Sequence, residues 1–67
     1  MTKIYLVVTE SDKFSISYAT ADQFKAQNMC HRLTKVSGMQ HSVKTEKWLD
    51  LPFSLRIELK QKFNVNI

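Results

Sequence analysis

The chain reads as one small α+β domain, residues 1–67, of ββαβα order, whose three-stranded antiparallel sheet has the spatial order 2-1-3. Three observations predict it. An apolar, β-branched stretch, KIYLVVT, is followed after a few polar residues by an alternating one, KFSISYA. A cappable amphipathic segment comes next, closed by the lone glycine, Gly38. A charged stretch rich in β formers, MQHSVKTEKW, then leads into a second helical pattern.

KIYLVVT carries apolar side chains on both faces, Ile4, Leu6 and Val8 on one and Tyr5 and Val7 on the other. Such a strand belongs in the middle of a sheet covered on both sides. In KFSISYA, Phe14, Ile16 and Tyr18 point one way and Ser15 and Ser17 the other, as in a half-buried strand. Glu10, Ser11 and Asp12 between them read as a polar hairpin turn.

Thr20 and Gln23 have the spacing of a capping box, hydroxyl to the Gln23 N–H and amide back to Thr20, with Asp22 in the positive first turn. Ala26, Met29, Cys30, Leu33 and Val36 then form a core stripe. Gly38 stands where a left-handed cap is expected, which predicts a helix over 21–36 or 37.

In MQHSVKTEKW, Met39, His41, Val43 and Thr45 share one face and Gln40, Ser42, Lys44, Glu46 and Trp48 the other. A charged, weakly apolar strand suits a sheet edge. A right-handed crossover makes it parallel to the second strand. Placed antiparallel beside the first, it leaves the twice-apolar strand in the centre.

DLPFSLRIELKQKF supports two readings. In twos, Phe53, Leu55, Ile57 and Leu59 alternate with Ser54, Arg56, Glu58 and Lys60, as in a strand. In fours, Leu51, Leu55, Leu59 and Phe63 line a helix. Asp50 before Pro52 is a helix-start signal. Most of the segment is good helix formers, and Glu58 is spaced to pair with Lys62. A strand over 53–67 would far exceed the usual ~5–6 residues. The helix is preferred, over 51–62, with an extended tail. Phe53 and Ile57 then fall off the main stripe, so one side of the helix is left for something else to cover.

A chain this short buries only ~60% of the surface its unfolded form exposes. With one cysteine, Cys30, it has no internal disulfide, and Cys30, His31 and His41 are the only obvious metal ligands. No metal or cofactor is expected, and stability rests on packing, helped by a homodimer or a larger partner. Glu10, Asp12 and Lys13 interrupt the first apolar run, which argues against a signal peptide. No run approaches the ~18 apolar residues of a membrane span. A reduced, cytoplasmic setting without a membrane partner is the expectation.

Chemistry is sparse. Nucleophilic catalysis needs a nucleophile, a base and an orienting group. Cys30 and His31 are helical neighbours that diverge, and Cys30 lies on the core stripe as a structural thiol. Glu10 and Asp12 share a solvated turn, and no glycine-rich phosphate motif occurs. The sequence argues against an enzyme.

Lys and Arg number 10 against 6 Asp and Glu, a net charge of +4. That balance suits a nucleic acid or an acidic protein surface. A nucleic-acid reading enlists Lys25, Arg32 and Lys35 on the first helix, Lys44 and Lys47 on the third strand, and Arg56, Lys60 and Lys62 near the end. Tyr5 and Trp48 would be its stacking platforms if a sheet face were open. A protein-binding reading starts from Phe24, which falls opposite the core stripe beside Asn28, His31 and Lys35. It is either a hydrophobic staple onto Ala19 or an exposed aromatic anchor. Phe53 and Ile57, rimmed by Arg56 and Lys60, form the second candidate surface.

The hairpin–helix–strand order, with Tyr18-Ala19-Thr20 turning from the strand pair into the helix, resembles small early-gene proteins of tailed bacteriophages that inhibit host machinery. The resemblance is one of layout over about residues 4–48. It implies a non-catalytic protein that blocks or redirects a larger host machine: a polymerase, nuclease, restriction or other defence complex. A small basic DNA- or RNA-binding protein is the alternative.

Overall fold

A strand with apolar side chains on both faces needs cover on both sides, and β1 (Lys3–Thr9) has it. The computed structural model describes residues 2–12, 15–65 and 67. β1 lies between β2 (Ile16–Thr20) and β3 (His41–Lys47), antiparallel to both, in the order β2-β1-β3. Helix α1 (Gln23–Ser37) connects β2 to β3, and a 3-10 turn at Trp48–Asp50 leads into helix α2 (Phe53–Phe63). The α+β class, the ββαβα order and the helical reading of the last segment are what the sequence predicts.

On one face of the sheet, Ile4, Leu6 and Val8 pack with Ala19, Trp48, Leu59 and Val65. Leu51, Leu55 and Phe63 flank this cluster, so the every-fourth-residue stripe is the one α2 buries. On the other face α1 crosses all three strands. There Ala26 and Val7 are fully buried, with Val43 of β3 directly opposite Val7.

Helix α1 is capped by a different residue from the one expected. Asp22 is the N-cap, its Oδ1 accepting from the N–H of Phe24 at 3.0 Å and of Lys25 at 3.3 Å. Thr20 cannot form the capping box because it is still in β2, paired with Tyr5. Its hydroxyl accepts instead from the Asp22 N–H at 3.2 Å, which fixes the strand-to-helix turn. Asp22→Ala should therefore cost about 1 kcal/mol, the usual worth of an N-cap acceptor. Gln23→Ala should cost only tenths, since no capping box is broken. Denaturant melts of the two variants check this.

The far end holds a second correction. Val36, placed on the core stripe by periodicity, is 80% exposed. It lies about 80° around the helix from Ala26, on one flank. The helix is held by the other flank, where the Thr34 hydroxyl accepts from the His41 N–H at 3.0 Å. Gly38 is in the left-handed region at φ 73°, and its N–H closes the helix on the Thr34 carbonyl at 3.0 Å.

Strict alternation also fails in the hairpin. Val8 faces Ile16 while Val7 faces Tyr18, so a bulge at Ser17 separates Ile16 and Tyr18. Phe14, expected on their face, lies outside the described residues. The ring of Tyr18 meets Phe63 edge-on, centroids 5.8 Å apart at 73°.

At α2, Asp50 ends the 3-10 turn rather than capping, and Pro52 occupies the N-cap position without a side-chain bond. No ion pair joins Glu58 to Lys62 among the described residues; Lys62 Nζ lies over the Phe63 ring, 5.5 Å from its centroid. Asn64, left-handed at φ 55°, ends the helix and returns Val65 to the core. No described helix is long and apolar enough to cross a membrane.

Candidate functional site

Residues three, four and seven apart on a helix share one face. Phe53, Arg56, Ile57 and Lys60 have that spacing in α2, roughly a third of a turn from the half-buried Leu55 and the buried Leu59. The helix stands at one end of a 3-10 turn that tucks Trp48 into the core, 7% exposed, beside this face. Together these five residues line one shallow hollow of about 110 Å³.

The hollow is apolar at its base and positive at its rim. Phe53 is 69% exposed and Ile57 41%. The Arg56 guanidinium carbon lies 5.6 Å from the Phe53 ring centroid, and Lys60 Nζ lies 5.9 Å from that of Trp48. Both are within the ~6 Å reach of a cation–π contact, worth ~0.5–1 kcal/mol where exposed. Arg56 Nε is covered and has no hydrogen-bond partner among the described residues. No carboxylate is among the described residues that line this hollow.

The other predicted partner-binding residues lie elsewhere. Phe24, His31 and Lys35 are all exposed along the outer side of α1, with Phe24 78% exposed. The staple does not form: Ala19 is buried in the cluster on the opposite side of the sheet. Lys35 sits in the last turn of α1, where a cation complements the helix dipole. Because α1 and α2 cover opposite sheet faces, the Phe24 stripe and the Phe53 stripe are separate surfaces.

The basic residues are also divided. Lys25 and Arg32 come together with Asn28 and Met29 around a hollow on one flank of α1. Lys44 and Lys47 point to opposite faces of β3, since Lys44 pairs with Leu6 and Lys47 with Lys3. Lys44 Nζ is held by Glu46 at 3.3 Å. Lys62 lies on the far flank of α2 from Arg56 and Lys60, beside Glu58, Ser15 and Ile16. Of the proposed stacking platforms, Trp48 is core and Tyr5 is half-buried on the face that α1 covers.

Cys30, His31 and His41 border a hollow of about 240 Å³ between α1 and β3. His41 is buried, its Nδ1 2.7 Å from the Met39 carbonyl, which can only accept, so Nδ1 carries the proton. No group of three or more His, Cys, Asp or Glu residues that could hold a metal occurs among the described residues. Burial pushes the Cys30 thiol above its ordinary value, and Glu10 adds repulsion against the thiolate. The thiolate is the reactive form. Cys30 should therefore alkylate slowly near neutral pH, its rate rising only above the range of a free thiol. Glu10→Gln should move that rise to lower pH, and a pH series with iodoacetamide checks both.

Sequence reasoning places the α2 stripe correctly but misses Trp48 as its floor. The 3-10 turn that brings Trp48 there has no period for a helix or strand pattern to reveal. No protein-family model, curated protein or solved structure gives a significant match to this chain.

Proposed function

We propose that this chain is a non-catalytic protein-binding modulator, an inhibitor that acts by covering part of a larger partner. One observation carries the reading: the α2 stripe leaves Phe53 and Ile57 exposed, 69% and 41%, beside Arg56 and Lys60. Single exposed apolar residues are ordinary. An aromatic and an aliphatic anchor adjoining on one rigid helix, rimmed by charge, is the composition of an interface centre. A surface helix presenting anchors at i, i+3, i+4 and i+7 is also a recurrent way to fill a partner's groove.

The layout over about residues 4–48 resembles that of small bacteriophage inhibitors, and that resemblance is the ground for the class of partner we propose: a polymerase, nuclease or defence complex of a host cell. A single-strand nucleic-acid groove needs continuous positive charge and open aromatic faces. The division of the basic residues and the burial of Trp48 favour the protein reading over it.

Affinity capture from host lysate, with and without nuclease, tests this. A partner retained after nuclease and lost with Phe53→Ser is the expected result. Partners that all vanish with nuclease would instead identify a nucleic-acid binder.

A further inference from the structure

The charges around the α2 hollow say what kind of partner it fits. Arg56 and Lys60 stand one turn apart on the same face, and no acidic residue is among the described residues that line the hollow. Each is parked over an aromatic ring of the protein itself, Arg56 on Phe53 and Lys60 on Trp48. Arg56 also keeps a covered Nε without an acceptor among the described residues. A buried donor left unpaired is costly, and bonds from a guanidinium to a carboxylate are among the stronger ones. A carboxylate that draws the guanidinium off the ring gives Nε a partner and uncovers Phe53 for apolar contact.

We infer that the α2 stripe binds an acidic protein segment, one that sets an apolar side chain between Phe53 and Ile57 and carboxylates against Arg56 and Lys60. This rests on the protein-binding reading and narrows it to a partner chemistry. Protein is favoured over nucleic acid because the basic residues fall into separate groups rather than one continuous stripe, and Trp48 is buried with Lys60 over its ring.

Trp48 is the only tryptophan and borders the hollow, so its fluorescence reports occupancy. The probes are a leucine–glutamate amphipathic helical peptide, the same peptide with lysine for glutamate, oligoglutamate, and a short poly(dT). The leucine–glutamate peptide should give a saturable change below about 1 mM. Lysine peptide and oligoglutamate should not. Arg56→Gln and Lys60→Gln should each weaken the response about tenfold, the loss of one charge-assisted contact. Ile57→Ser should weaken it as much.

Equal binding of the glutamate and lysine peptides overturns the acidic-partner inference and leaves the protein-binding reading standing. No response to the leucine–glutamate peptide also overturns the inference, while capture from lysate judges the wider reading independently. Tighter binding of poly(dT), lost in Arg56→Gln, overturns both.

Discussion

Leu59→Ala is expected to remove about 2–5 kcal/mol of stability, the range for a leucine deleted from a closed core. Leu59 is 2% exposed and is the α2 residue packed most deeply against Ile4, Leu6 and Val8. A core of this size rarely supplies more than about 3–5 kcal/mol in all. The variant should therefore lose its cooperative transition, or melt far below the parent, by circular dichroism. Leu55→Ala, at a half-buried position of the same stripe, should cost less. A Leu59→Ala protein melting near the parent temperature would mean that α2 is not seated by its every-fourth-residue stripe.

The exposed stripe of α2 should respond in the opposite way. Phe53→Ser and Ile57→Ser alter exposed positions, where substitutions usually change stability by no more than ~0.5 kcal/mol. Their melts should stay cooperative and fall only slightly below the parent's. If they are interface anchors, each should weaken partner binding by about 2 kcal/mol or more, roughly thirtyfold, as measured by titration calorimetry with the captured partner. Phe24→Ser is the internal control. It removes an aromatic that is slightly more exposed, on the other side of the sheet, and should leave both stability and affinity unchanged.

These two sides of α2 show why the fold was more legible than its details. The stretch alternates in twos and repeats in fours, and pattern alone allowed either. Length and composition decided correctly for a helix. β1 could be placed in the centre because Tyr5 and Val7 are apolar as well as Ile4, Leu6 and Val8. What pattern could not supply was the choice between two acceptors two residues apart. Thr20 and Asp22 are both good caps, and only the pairing of Thr20 with Tyr5 removes it from the contest. Val36 failed for a related reason: a helical wheel shows the stripe but not which flank the next strand will hold.

The candidate surface was half-visible. Spacing alone put Phe53, Arg56, Ile57 and Lys60 together, and the structure keeps them so. Spacing could not show that the Phe24 stripe lies behind a different sheet face. Nor could it show that Lys44 is tied to Glu46 and that the basic residues fall into separate groups.

The most direct measurement is amide and side-chain chemical-shift mapping of the isotope-labelled protein on addition of its captured partner. Shifts should concentrate at Trp48, Phe53, Arg56, Ile57 and Lys60, with α1 little changed. Shifts centred on Phe24, His31 and Lys35, or on Lys25 and Arg32, with the α2 stripe undisturbed, would contradict the assignment of the binding surface.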